Sequence, residues 1–453
     1  YIIRRERLSG ALNIDYQATD ALKFYVTGIY SEFSDDEIRT RSENKFGDGV
    51  FDPAASGASV AVIQASEDDE YEVDRDVRSR FEEQTIYSIV GGADYQTDRF
   101  SFDWSAAYSF AEESEPDRTL AAFRANFDEG LFGVDVSDGI LPRLNFPDAA
   151  SEAAYFDAGN YEFDEFEVLN GLTQDDELAF TANLRFDADL FGAPGYFQTG
   201  GKARLRDKFY DVDIDVYDGF DGDDLLLSDF STERDFRLDR INPSVDPVAF
   251  NNFFAANAGL FELNEVDSAI ESAAANYDAE EDIFAGYALA QRQFGGRLNV
   301  IAGVRVEHTN YRATGNSVLT QEFETTFAGD VTGTTDPNDV IPAPAIPGVL
   351  LAEEIEFEFD ADENETVLEA VRVFSTPVEA RNSYTDVLPS VNAKLDVTDQ
   401  VVARFGYYKS LARPNIEAAA PRIAIEQGEE LAATVGNPNL DRQRAHNIDA
   451  TLE

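Results

Sequence analysis

The chain has no cysteine and no methionine among its 453 residues. Without cysteine there is no disulfide framework, thiol nucleophile, zinc ribbon or iron–sulfur site. A chain without methionine lacks its own initiator, so we expect a processed form or an excised piece. No basic segment followed by an apolar stretch opens it, and any signal peptide is expected to be gone already. Nor does any run approach the roughly 20 apolar residues of a membrane helix. Histidine is nearly absent: His308 and His446 have no partners at metal-ligand spacing, which argues against a zinc site. Positive charge is scarce, with 35 Lys and Arg against 89 Asp and Glu and a formal net charge of −54. That balance argues against nucleic acid, whose phosphates need a basic surface.

What is present is alternation. In Phe100–Phe110 the even positions are Phe, Phe, Trp, Ala, Tyr and Phe, and the odd positions are small or polar. Successive side chains of a strand point to opposite faces, so this strand has one greasy face and one polar face. The pattern recurs in pairs. Predicted hairpins join 8–16 to 22–33, 85–95 to 100–110, 178–186 to 196–208, 283–291 to 298–307, and 387–397 to 401–407. A final strand begins near His446. Short turns close each pair, and long acidic loops separate the pairs. Strands of about 9–11 residues suit a tilted membrane crossing. Short turns on one side and long loops on the other suit an outer-membrane barrel. The expected fold is all-β: an antiparallel transmembrane β-barrel with long extracellular loops and short periplasmic turns. Its greasy face would meet lipid and its polar face a lumen. About eleven strands are visible, an odd number. Bacterial barrels of this kind close with an even number, so we expect part of a larger barrel, with no internal domain boundary.

On this face assignment Lys23, Asp103, Lys202, Arg204, Arg206, Arg305, Glu307 and Arg404 line the lumen. Their basic members suit carboxylates of a plug or an anionic ligand in transit; the alternative is ordinary polar lining of a wet interior. Loop aromatics Tyr210, Tyr217, Phe220, Phe253 and Phe254 suit stacking on a sugar or chelate, or packing of the loops on themselves. The stretch Asp218–Asp224 resembles calcium-loop chemistry but lacks the closing Glu, and reads equally as a solvated loop tip. The run Glu67–Glu70 reads as solvated charge. A helix is expected within 247–275. Pro116, Pro142 and Pro147 are expected in one loop, and Pro337, Pro342, Pro344 and Pro347 exclude regular structure from another. With no cysteine and no G-x-S-x-G, no nucleophilic constellation stands out. Among 89 acids a glycosidase-like pair carries no information. We expect no enzyme and no cofactor.

The fifth hairpin carries more specific words. Tyr384-Thr385-Asp386-Val387-Leu388-Pro389-Ser390-Val391-Asn392 is followed by Ser410-Leu411-Ala412-Arg413-Pro414, then Gly436-Asn437-Pro438-Asn439-Leu440. In this order they resemble the barrel region of TonB-dependent outer-membrane receptors, in particular the large alphaproteobacterial type. The resemblance is strongest over 283–453. It implies a barrel of about 22 strands around a plug, in a Gram-negative outer membrane. It also implies import of a scarce nutrient such as an iron chelate, cobalamin or oligosaccharide. The implied partners are outer-membrane lipid, the plug of the same protein, the nutrient, and an inner-membrane TonB-type energy-coupling complex. Neither a plug nor closing strands are recognisable here, so this stretch would not gate transport alone. The words themselves are expected to be architectural. Pro389, lacking an N–H, would mark a bulge or the start of a strand, and Arg413-Pro414 the point where a strand leaves the membrane. Gly436 and Pro438 would fix the return path. Two rival classes remain: an ungated porin, and a soluble acidic β-rich carbohydrate-binding or adhesion module. The acidic loops favour ligands that are not strongly anionic.

Overall fold

The computed structural model describes residues 1–46, 49–139, 141–190, 192–234, 241–332, 337–342, 348–360, 364–426 and 432–453. Eleven strands form the antiparallel main path of a fifteen-stranded sheet, in chain order: β1 (Ile2–Thr19), β2 (Leu22–Lys45), β3 (Tyr71–Gln96), β4 (Phe100–Phe127), β5 (Glu162–Leu190), β6 (Ala193–Phe220), β7 (Tyr277–Phe294), β8 (Leu298–Ala328), β9 (Glu365–Thr398), β10 (Val401–Ala412) and β11 (Gln443–Leu452). The sheet is open, and among the described residues β1 and β11 do not pair with each other. This is part of a barrel wall, as the alternation implies.

The register carries the faces across the sheet. Ile14 lies opposite Val26, Val26 opposite Gly91, Gly91 opposite Ala106, and Ala106 opposite Phe180. The line continues through Ala203, Phe284 and His308. Through this belt the ladders have no register shift. The breaks on the main strands fall at turn ends, Gln17/Thr19 and Asp396/Thr398, or farther out, as at Ser79/Glu83 and Glu115/Arg118. A one-residue slip would turn every side chain to the opposite face. Among the described residues nothing covers the belt: Trp104 is 41% exposed and Phe102 37%. A soluble module would bury this face under a second sheet.

The strands are longer than the alternation suggests. The segments expected as loops at 34–80, 111–176 and 209–282 begin and end as strand. β4 has 28 residues. At about 3.3 Å per residue it runs roughly 90 Å, several times what a lipid band about 25 Å tall requires. Alternation stops where lipid stops, but pairing does not. Pro116, expected in a loop, sits inside β4, and the ladder to β5 shifts between Glu115 and Arg118. Asp117 there has a positive φ of 49° and its N–H donates to Asn170. Proline supplies no N–H to a ladder, which accounts for a bulge at this place. Pro344 and Pro347 lie outside the described residues.

Beyond the belt, the outward face is covered by the loops. Tyr71, Val73, Val77, Phe123 and Phe127 of β3 and β4 join Phe132, Tyr155, Tyr161 and Phe250 in one aromatic-rich core. Helix α1 (Ala149–Phe156) contributes Tyr155, and α2 (Pro247–Asn257) contributes Phe250. A third helix, α3 (Glu265–Ala275), lies along the edge that β6 exposes once β7 has ended. Ser268, Ser272 and the following Asn276 accept from the N–H groups of Val216, Ile214 and Val212, at 2.8, 2.8 and 2.6 Å. Four helical residues rise about 6 Å and two strand residues about 6.6 Å, so the stripe matches the strand. The helix satisfies an edge that would otherwise be free to pair. Two helices therefore stand where the sequence suggests one.

The lipid face is directly testable. Ala106→Arg, in the middle of the belt, is expected to cost about 2–4 kcal/mol in a bilayer folding titration. A change close to zero would remove the lipid assignment.

Candidate functional site

The polar face is the concave counterpart of the belt, and all eight lumen-facing candidates lie on it. Most of their charges are already engaged within the wall. Lys23 meets Asp15 at 2.8 Å, Arg204 meets Glu177 at 2.6 Å, Arg305 meets Glu307 at 2.6 Å, and Arg404 meets Glu453 at 3.3 Å. Arg206 is paired with Asp175. Asp103 accepts from Asn183, which accepts from the Tyr287 hydroxyl, which accepts from Gln198, each at 2.7–2.8 Å. Lys202, exposed on β6, is the exception and has no carboxylate partner among the described residues. So the candidates form a wall of pairs, not one cluster. Exposed or half-exposed pairs contribute only about 0–1 kcal/mol each. Their main effect is to neutralise the wall.

The motif words come together at one end of this wall. After β10, the chain folds back across the inner face as a strap whose described residues are 413–426 and 432–442. Arg413 passes over β9 and reaches Glu307 on β8 at 2.7 Å, with Thr309 beside it. Ile416, Ala419 and Ala420 pack on Tyr277 and Ala279 of β7 and Tyr311 and Ala313 of β8. Arg422 donates to the carbonyl of Ala275 and lies over the Tyr277 ring. The N–H of Gly436 donates to Arg422 and that of Asn437 to Ala418. A Cβ on Gly436 would overlap the carbonyl oxygen of Ala420. Asn437 to Leu440, with Pro438 between, form the turn that follows. Arg442 and Arg444 then converge on Asp386, which is 3% exposed, at 2.7 and 2.8 Å.

Pro389 lies within β9 opposite Val304, and the ladder to β8 runs through it unbroken. The expected bulge or strand start is absent there. Instead the ladder to β10 ends at Ser390, next to the residue that has no N–H. Leu388 faces Arg305 across the ladder, and Asn392 lies over Gly406 of β10.

The outer half of the wall, on β2 to β5, carries a second constellation inside the segments read as loops. Facing residues are Asp35 and Glu82, Glu37 and Arg80, Arg39 and Arg78, Arg41 and Asp76, Glu43 and Asp74, Lys45 and Glu72. Arg80 alone meets Asp35, Glu37, Glu82 and Glu115 within 4 Å. A signal for it exists in the sequence: every second position over 35–45 and 72–82 carries a charge. That is strand periodicity written in charge. Farther along, Glu165 and Glu167 of β5 share this face. Burial and the neighbouring Glu167 push the Glu165 carboxyl up to about 7.

The loop aromatics pack inward on themselves. Phe254 stands 4.5 Å from Phe166, Phe220 5.0 Å from Phe261, and Phe253 5.1 Å from Phe230, centre to centre. Tyr217 packs against Phe254, and Tyr210, part of β6, packs near Tyr277. Asp218 accepts from Asn264. Among the described residues no group of three or more His, Asp or Glu gathers as a metal site.

Residues 3–453 match the family described as TonB dependent receptor-like, beta-barrel. The chain belongs to this family. It is therefore an outer-membrane receptor barrel region, as the uncovered belt requires. Its backbone is similar to the ferric-catecholate import receptor Fiu of E. coli K12 in its open form (9% identity, TM-score 0.40, 91% of this chain and 54% of that one). It is also similar to the siderophore receptor PiuA of Acinetobacter baumannii (9%, 0.32, 98% and 54%). A third is the hemophore receptor HasR of Serratia marcescens, in complex with HasA and heme (9%, 0.30, 98% and 50%). The receptor barrel spans about half the length of these structures. No curated protein sequence matches it.

Two outcomes follow. In Gly436→Ala the strap loses its seat on Ala420, and limited proteolysis is expected to cut 413–442 several-fold faster, while Pro438→Ala stays near wild type. Glu165 has a folded value above its unfolded one, near 4.5. The folded protein therefore holds more protons between about 4.5 and 7, and stability falls as pH rises through that window. Glu165→Gln is expected to flatten this slope in denaturant titrations at pH 4.5 to 8 and to raise stability at pH 8.

Proposed function

We propose that this barrel region forms the ligand-capturing wall of an energy-coupled receptor that takes up a scarce nutrient across the outer membrane. The family match supports this reading, and the observation that carries it is the combination of a lipid-ready exterior with an inward-folded strap. A simple pore needs only a polar lumen. Here residues 413–426 and 432–442 form a strap fixed to the inner wall by Arg413, Arg422 and Arg442. Such a fixed inner surface narrows the mouth on the β6–β9 side and leaves the β2–β5 side to receive a ligand.

In this reading the rest of the receptor supplies the plug and the contact to an inner-membrane TonB-type complex. Lys202, a cation of the wall without a carboxylate partner among the described residues, is a natural contact for a plug carboxylate. The substrate is a small nutrient: an oligosaccharide, a siderophore or a cobalamin-like ligand. The chain acts by holding and admitting it, without catalysis.

The test is uptake in whole cells. Deleting the gene is expected to abolish high-affinity accumulation of the nutrient, and a protonophore is expected to abolish it equally in wild type. Accumulation that ignores the protonophore would instead indicate an ungated porin.

A further inference from the structure

The apolar belt on the outward face ends in charge, and on six neighbouring strands that charge has one sign. Past the last apolar side chain of the belt stand Glu32 of β2, Glu83 of β3, Glu112 of β4, Asp176 of β5, Asp207 of β6 and Asp282 of β7. On β3 to β7 each acid lies 12 to 14 residues from the turn end of its strand, as Glu112 does from Phe100 and Asp176 from Leu190. Such a length, at about 3.3 Å per residue and a tilt of about 40°, rises roughly 33 Å. A lipid band about 25 Å tall leaves the acids just beyond it, on the side of the long loops and so in the headgroup layer of the outer leaflet. Tyr30, Tyr87, Tyr108 and Phe110 stand just below them on the same face, with Tyr87 stacked 4.9 Å from Phe110. Aromatic rings of this kind mark a membrane interface. Among the described residues none of the six acids has a basic partner. Glu32 accepts from the Tyr30 hydroxyl, Glu112 from Gln174 and Asp176 from the Tyr108 hydroxyl. Asp176 faces Asp207 across one ladder and Asp207 faces Glu280 across the next, and like charges directly opposite are destabilising. Glu280 faces Arg312 of β8, but Arg312 and Arg381 of β9 are both engaged by Glu379. Positive charge for this rim has to come from what surrounds the barrel.

We propose that this rim of carboxylates is a docking surface for outer-leaflet lipids whose headgroups carry a primary amine. The belt below the rim already selects for lipid, and the rim selects among lipids by charge. Neighbouring strands stand about 4.8 Å apart, less than the screening length of about 8 Å at physiological salt. The carboxylates therefore act together, repelling an anionic headgroup and drawing in a cationic one. An ammonium is a compact charge with three donors and no acceptor. Each acid keeps lone pairs free for such a donor after its tyrosine or glutamine is met, and bonds from ammonium to carboxylate are of the strong, charge-assisted kind. A divalent cation fits less well. It takes about six to eight oxygens at close range, whereas these acids stand singly, one to a strand, and among the described residues no three gather as a metal site.

The test uses the full receptor in phosphatidylcholine nanodiscs, with trace spin-labelled phosphatidylethanolamine, phosphatidylcholine and phosphatidylglycerol as probes. Electron paramagnetic resonance separates the lipid held at the protein surface from the bulk and gives relative association constants. Phosphatidylethanolamine is expected to be preferred several-fold over phosphatidylglycerol and to exceed phosphatidylcholine, with or without EDTA. In the triple variant Glu83→Gln, Asp176→Asn, Asp207→Asn the preference is expected to fall close to one. Half-molar salt is expected to weaken the wild-type preference, which keeps the test decisive if the variant assembles poorly. Equal association of the three lipids, or a preference that neither the variant nor salt reduces, would overturn the proposal. So would a preference for phosphatidylglycerol that needs magnesium and disappears in EDTA, because divalent ions would then be bridging the rim to lipid phosphates.

Discussion

Parity is the constraint on which the rest of this molecule depends. Ten successive ladders connect eleven strands, and an odd slip in the belt portion of any one of them would put apolar side chains into the lumen and charges into lipid. Period-two geometry permits no partial error. The structure meets this constraint by confining irregularity. Bulges and register shifts occur at the turn ends and in the outer extensions, where both faces meet protein or water and a slip can be tolerated. The same confinement explains where Pro116 and Asp117 are found. A residue without an N–H and a residue at positive φ sit together outside the belt, where a broken ladder can be repaired by Asn170.

This also determines what could be read from the sequence. Alternating hydrophobicity reports lipid on one side and water on the other, so it locates the belt well: Phe100–Phe110, Leu178–Phe186 and Leu298–Val306 all lie on the faces expected of them. It falls silent where the outward face meets loops instead of lipid, which is why β2 was legible to Phe33 and not to Lys45. The inner face of that extension was written in another alphabet, Asp35, Glu37, Arg39, Arg41, Glu43, Lys45, with the same period. Helix α3 was only dimly legible. Its stripe of Ser268, Ser272 and Asn276 has helical spacing, but its purpose depends on the edge of β6, more than fifty residues away. The words around Pro389, Arg413 and Gly436 pointed to the family, and their physical sense emerges only from contacts between them.

Those contacts show why the words are spaced as they are. Arg413, at the end of β10, and Arg442, at the approach to β11, both return to the wall, on Glu307 of β8 and Asp386 of β9. These two acids face each other across the ladder. The strap is thus anchored at both ends to one row, and its middle is held by Gly436 against Ala420. Removing either arginine would leave its carboxylate with one partner instead of two, Arg305 for Glu307 and Arg444 for Asp386. For Asp386, nearly inaccessible, the lost pair matters more, because a buried charge depends more on its partners than an exposed one. The strap is fixed by electrostatics at its ends and by steric fit in its centre.

The net charge of −54 then takes on a distribution instead of a single value. If the wall were as acidic as the whole chain, it would repel any anion and strain its own assembly. Instead most of the inner-face bases described above are placed within reach of an acid, and charge farther away acts at longer range. Screening over about 8–10 Å at physiological salt makes the distant surplus weak at the inner face, whereas a neighbour at 3–4 Å acts almost in full. Local pairing therefore decides what the lumen presents to a ligand. In a wall neutralised pair by pair, an unpaired base such as Lys202 gains an interaction when something arrives.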